Sequence, residues 1–287
     1  MKKILLLTDF SEASAHAFTY VSSLYSTDFC EFTVLHCYSP PPDTLYHIIK
    51  EDAFQKAQAR IEAFMQPLLN SSRRLTHTYD LRVLPGPVVA MVELVCELEH
   101  FDLVVLGTSR AGKSSVVGSV ATALIRKLSN HVLTVPLPAP QQQLREIVIA
   151  TDYSESGSMK VYKQITELAH KFSARITCLT VMGPGQSPVP FKVNRIGEYN
   201  NYFRGEQIRQ CFITERNTAA GILSYLDKHP SDLLVMISHH KALLDILLGR
   251  SLTRRLVCEA QVPVLALAGN TPSSEFKVQQ ARHFYTN

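Results

Sequence analysis

Between residues 107 and 119 the chain concentrates the kinds of group that hold phosphate. Gly107-Thr108-Ser109-Arg110-Ala111-Gly112-Lys113-Ser114 satisfies Gly-x4-Gly-Lys-Ser, and Gly118-Ser119 follows directly. In that pattern backbone amides wrap the phosphates, the lysine adds charge, and the hydroxyl reaches magnesium. Glycines let a ligand approach the backbone, and a helix start supplies bare amides. Glycines and serines also make ordinary loops, so composition alone leaves both readings open. A second group, Thr8-Asp9-Phe10-Ser11, offers a carboxylate and two hydroxyls after a short apolar run. No nucleophile elbow or metal-ligand cluster accompanies these groups. His36 stands at the end of an apolar segment near Asp9 and reads as a satisfied, partly buried histidine. His239 and His240 are neighbours with no third ligand nearby, which is weak evidence for a metal. The sequence therefore predicts binding, with no catalytic set and no metal centre.

The elements that must position these groups occur twice. Lys3–Glu12 returns as Glu146–Glu155, so that Asp9 corresponds to Asp152 at an offset of 143 residues. Phe101–Leu106 returns as Ser231–Met236. In the first half, apolar runs at Ile4–Leu7, Phe32–His36, Leu75–Leu84, Leu103–Leu106 and Val132–Val135 alternate with helical periodicities. Continuous apolar runs suit strands covered on both faces. Alternation of strand and helix predicts a parallel α/β sheet with right-handed crossovers. The second half repeats this with less material, and no long apolar helix is expected between Gly183 and Arg204. The expected division is a first domain at 1–138, a linker at 139–143, a second domain at 144–269 and a polar tail at 270–287. Two such Rossmann-like domains in one chain imply an internal pseudo-dimer.

Composition narrows the function. The 287 residues are 46% hydrophobic and 19% charged, ordinary for globular domains. A net charge of +4 is too small to argue for nucleic acid or a membrane surface. The apolar run after Lys2-Lys3 ends at Thr8, short of a signal-peptide core. The six cysteines form no Cys-x-x-Cys pair, as expected of reduced thiols in a cytoplasmic protein. Arg254 and Arg255 read as a solvated helix face. Position weighs against a true P-loop, because only one strand remains in the domain after Gly107–Ser114. Asp152, a tempting magnesium ligand, is already explained as the copy of Asp9.

The ordered set Ile4–Ser11, Asp102–Thr108 and Val117–Ala121, repeated in outline in the second half, resembles the universal stress proteins. The resemblance implies five-stranded parallel sheets of order 3-2-1-4-5, pairing of domains through their fifth strands, and in many members an ATP site. It carries Asp9 and Cys37 to the adenosine end of such a site, and Gly107, Gly118 and Ser119 to the phosphate end. Arg110 stands where the family has its second glycine, and the stretch from there to Gly118 is two residues short. Arg110 is a barrier there or a charged phosphate contact. Gly112 and Lys113 complete the candidate set. The resemblance implies ATP or another adenine nucleotide, with magnesium where nucleotide is bound, in the first half alone. In the second half, Ile237 replaces the first glycine and His240 the second. Three functions stay open: a non-enzymatic stress-response protein that binds a nucleotide, a P-loop NTPase, and an unliganded module that contacts a protein partner.

Overall fold

The computed structural model describes residues 1–39, 46–72, 75–109, 115–137, 139, 143–153, 159–185, 193–238 and 250–269. In the first half, β1 (Lys2–Leu7), α1 (Glu12–Leu24), β2 (Cys30–Tyr38), α2 (Tyr46–Ser72), β3 (His77–Pro85), α3 (Val88–Leu98), β4 (Leu103–Ser109), α4 (Ser115–Lys127) and β5 (His131–Leu137) alternate. The second half runs β6 (Glu146–Ala150), a 3-10 turn at Met159–Tyr162, α5 (Lys163–Phe172), β7 (Arg175–Met182), α6 (Val193–Tyr202), β8 (Ile208–Thr214), α7 (Thr218–Lys228), β9 (Leu233–Ser238), α8 (Arg250–Glu259) and β10 (Val264–Ala268). The first strand begins almost where expected, whereas β4 runs to Ser109, beyond Leu106. Among the described residues of the stretch expected to lack a long apolar helix lies the ten-residue α6.

All ten strands form one sheet, β3-β2-β1-β4-β5-β10-β9-β6-β7-β8. Within each half the order is 3-2-1-4-5 and every pairing is parallel. The two sheets join at β5 and β10, which run antiparallel with Leu133 opposite Leu265. The fold is thus α/β with a tandem of Rossmann-like domains, closed edge to edge into a pseudo-dimer.

Strand alternation splits the core in two. Ile4, Leu6, Phe32, Val34, Val105 and Ile149 face the side covered by α1 and α2 and their counterparts. Leu5, Leu7, Leu35, Val104, Leu106 and Val148 face α3, α4, α7 and α8. Helices on both faces bury the strands completely, which explains their unbroken apolar runs.

Partly exposed carboxylates serve the strand starts. Asp102 accepts the Lys3 amide at 2.8 Å, and its own amide bonds the Lys3 carbonyl. Asp232 does the same in the second half, accepting the Arg145 and Glu146 amides at 2.8 and 2.9 Å. This repeated aspartate therefore has a structural duty. Beside it the charges have reversed between halves. Lys3 pairs with Glu31, whereas Glu146 pairs with Arg175 and also takes bonds from Arg209 and Thr177.

Candidate functional site

The turn after β1 is built identically in both halves. Thr8 donates its amide to Leu35 and its hydroxyl oxygen accepts the Phe10 amide at 3.0 Å. Thr151 bonds Leu179 and Tyr153 in the same way. Phe10 and Tyr153 are forced to φ values of 65° and 57°. Such a left-handed conformation costs roughly 1–3 kcal/mol for a residue with a side chain. The turn bonds hold it in place. Asp9 accepts the Ser11 amide and hydroxyl, and Ser11 caps α1 by accepting the Ser14 amide. Thr8, the first residue of the group picked out in the sequence, thus holds the turn that carries Asp9.

Asp9 lies two residues past the end of β1, exposed, in the turn at the carboxyl ends of the strands. Cys37 packs on the face of α3 and α4, two residues beyond the Leu7–Leu35 pair that ends the β1–β2 register. Thr108 follows Val104 and Leu106 onto that face and is buried. These three residues share the carboxyl ends of β2, β1 and β4, where the strand order reverses. Open α/β sheets bind ligands at that point. Thr108 is a functional candidate that sequence reasoning missed; its alternation with Leu106 was the available signal. Burial pushes the Cys37 thiol up to about 11, so it meets a ligand as a neutral, weakly polar surface.

Gly107 faces the other way. A Cβ there would lie 2.1 Å from the Ala13 carbonyl oxygen and 2.7 Å from the Ser14 amide nitrogen. Its lack of a side chain lets the first turn of α1 lie flush on β4. Ile237 occupies the matching position in β9, and the described helix there begins only at Lys163, behind the 3-10 turn.

The expected phosphate loop is shorter than the sequence suggested. Gly107, Thr108 and Ser109 stay in the sheet, in register with Val135, Pro136 and Leu137. On the β5 side their backbone groups serve the ladder, whereas β1 pairs with β4 only as far as Leu106. Gly118 and Ser119 lie inside α4, after its first turn, and Ser119 is exposed. The free amides of a helix lie upstream of them, in that first turn. Arg110, Gly112 and Lys113 lie outside the described residues, as do His239 and His240. Among the described residues no cluster of His, Cys, Asp or Glu could hold a metal.

On the opposite face the first half carries an aromatic group. The Phe10 ring lies 4.1 Å from His36 and 5.5 Å from Phe64, with the Arg60 guanidinium 4.4 Å from its centroid. His36 bonds the Thr8 carbonyl through Nδ1 at 2.8 Å, which satisfies it as expected. Burial lowers its pKa, and the charge of Arg60 pushes the same way against the Thr8 bond and Asp9. In the second half the same face is packed solid. Tyr162, Tyr199 and Phe203 are buried, Tyr153 bonds Gln210, and Tyr162 bonds Tyr199.

The ligand face of the second half is also tighter. Val181 stands where Cys37 stands, and α7 presses on it at Gly221. A Cβ added to Gly221 would lie 2.9 Å from the Val181 side chain. Met91 takes the Gly221 position in the first half, and its side chain lies against Gly86. The two halves therefore share a turn and differ at its surroundings.

Comparison with known proteins agrees with this geometry. A family model described as the universal stress protein family matches residues 1–136 and again 143–268. No curated protein sequence matches. Among solved structures, a universal stress protein from Archaeoglobus fulgidus DSM 4304 is similar, with a TM-score of 0.74 at 15% identity, covering 93% of this chain and 98% of that one. A putative universal stress protein from Pseudomonas aeruginosa UCBPP-PA14 gives 0.60 at 10% identity, covering 100% and 98%. The cytoplasmic domain of a prokaryotic cation chloride cotransporter shares the fold more distantly, with 0.53 at 14% identity over 93% and 96%. No described helix is long and apolar enough to cross a membrane. With its family match in both halves and its doubled 3-2-1-4-5 sheet, the chain belongs to the universal stress protein family as a tandem, two-domain member.

Proposed function

We propose that the first half binds an adenine nucleotide and that the protein is a cytoplasmic stress-response binding protein with no catalytic turnover. The domains are read as 1–138 and 144–269, with a linker at 139–143 and a tail at 270–287. The observation that carries the reading is the grouping of Asp9, Cys37 and Thr108 at the carboxyl ends of β1, β2 and β4, where the strand order reverses, beside the α4 start. A carboxylate there suits ribose hydroxyls, and a neutral thiol suits the apolar face of a base. The α4 first turn offers amides to phosphate, with Gly118 and Ser119 just behind and Arg110, Gly112 and Lys113 leading in. Magnesium would accompany the phosphates. The second half keeps Asp152 but crowds its surroundings, which supports a single nucleotide per chain.

Calorimetry with ATP, ADP and AMP tests this. The expected result is one site, weakened by Asp9→Ala and by Gly118→Val, and unchanged by Asp152→Ala. Loss on Asp152→Ala alone overturns the assignment, and no binding to any nucleotide favours the module that contacts a protein partner. One observation favours the P-loop reading: Gly107–Ser114 keeps that pattern between a strand and a helix. Lys113→Ala separates the two. In a P-loop enzyme it abolishes magnesium-dependent hydrolysis. In the binding protein it weakens affinity by ~1 kcal/mol or less, and wild-type hydrolysis is already near background.

A further inference from the structure

Two histidines at the junction between the halves are used as hydrogen-bond acceptors, a role open only to neutral imidazole. His131 opens β5, and its Nδ1 accepts the Ala268 amide at 3.1 Å, at the end of β10. His16 lies on α1, and its Nε2 accepts the amide of Ala139, between the two halves, at 3.1 Å. These bonds fix the tautomers: His131 carries its proton on Nε2 and His16 on Nδ1. We infer that this edge of the junction between the two halves is proton-sensitive, with the end of β10 released as His131 becomes charged.

The physical ground is a reversal of role. A proton added at His131 Nδ1 turns it into a donor facing the Ala268 amide, a second donor. The remaining contacts across the junction are of other kinds. Lys2 pairs with Glu167 at 2.8 Å, Lys171 bonds Asp28 and the Leu24 carbonyl, and Gln164 bonds the Tyr25 hydroxyl at 2.7 Å. The β5–β10 backbone ladder also stays in place, so the loosening is local to the Ala268 amide.

The charges around His131 do not override this. His16 is not part of the switch: burial lowers its pKa, but its backbone bond at Ala139 and the charge of Glu12 both favour the proton. Strands β4 and β5 beneath α1 present no carboxylate or ammonium, and the charged described residues of α2 are Asp52, Lys56, Arg60 and Glu62. His131 feels Asp102 before β4, outweighed by burial. Asp102 is itself engaged with the Lys3 amide and lies 3.5 Å from His100. β10 opposite is wholly apolar, and α4 ends in Arg126 and Lys127.

Amide exchange at Ala268, followed by NMR and normalised to intrinsic rates, reads the contact. Between pH 7.5 and 4.5 the wild type should lose at least several-fold protection there, while strands β1 and β4 keep theirs; the window runs well below the ordinary histidine range because burial lowers the His131 pKa. His131→Asn places an untitratable oxygen near the Nδ1 position and should abolish the pH dependence. Unchanged wild-type protection at Ala268 overturns the inference, and so does an acid-induced loss that persists in His131→Asn.

Discussion

Gly107→Ala should destabilise the protein without a ligand being present. The new Cβ would lie 2.1 Å from the Ala13 carbonyl oxygen, whereas real Cβ contacts essentially never fall under 3.0 Å. Helix α1 or strand β4 must therefore give by about 1 Å, well beyond the slack of a close-packed interior. The obstacle is backbone, so no side-chain rotation relieves it. Helix α1 is also held along its length: Ser11 caps its start, His16 takes the Ala139 amide, and Lys171 and Gln164 hold its far end. Overpacking of this kind costs ~1–3 kcal/mol where side chains can adjust, so the upper end, ~3 kcal/mol, is expected here. That is a large share of the roughly 5–15 kcal/mol that stabilises a typical domain. In a domain of this size it lowers Tm by roughly 5–10 °C. Thermal unfolding followed by circular dichroism, and urea titration at pH 7.5, measure it. A Tm within about 2 °C of wild type, together with lost nucleotide binding, would refute the packing argument and return Gly107 to the phosphates.

Ser11→Ala should lower stability by about 1 kcal/mol in urea titration, the value of one helix cap, and should also loosen Asp9. Glu146→Ala should cost ~1–3 kcal/mol, because it leaves buried Thr177 without its acceptor while the half-exposed Arg175 and Arg209 turn to water; chemical denaturation would show it. His16, His36 and His131 all have pKa values lowered by burial. The unfolded chain then binds more protons than the folded one below about pH 6.5, so stability should hold above that pH and fall as the medium is acidified; a pH series of urea midpoints tests the sign. Cys37 should react only slowly with a thiolate-selective reagent at pH 7.5, since burial pushes its thiol up to about 11, and rapid labelling would contradict its placement.

The sheet was readable because its residues are redundant. A run such as Ile4–Leu7 specifies a doubly covered strand by itself, and the second copy at Ile147–Ile149 repeats the instruction. The strand order followed from the family resemblance rather than from periodicity. The candidate site was only half readable. Asp9 and Cys37 were found from motif and position, but which face of the sheet each residue takes depends on register, and Gly107 proved to turn away from them. Thr108 carried no motif of its own. The extension of β4 to Ser109 was invisible because Gly and Ser are poor strand formers, and pairing with Val135–Leu137 overrides that preference. The crowding of the second half could not be read because Tyr153, Tyr162, Tyr199 and Phe203 are scattered over some fifty residues and meet only in three dimensions.

The antiparallel join of β5 to β10 has a consequence for how the two halves can change. Two separate chains joined by such an edge would part on dilution and exchange partners. Here the tether between the halves keeps the effective concentration of one for the other at about the millimolar level, whatever the abundance of the protein. Each half therefore always meets the same counterpart, in a fixed ratio of one to one. A substitution on one side needs to suit a single partner surface, which removes the symmetry that an exchanging pair would impose. The charge reversal from Lys3–Glu31 to Glu146–Arg175 and the aromatic filling of the second half are changes that such a permanent, private pairing permits. It also commits both inner edges of the sheet, leaving β3 and β8 as its outer strands, so association with a further copy through backbone pairing has only those two places to begin.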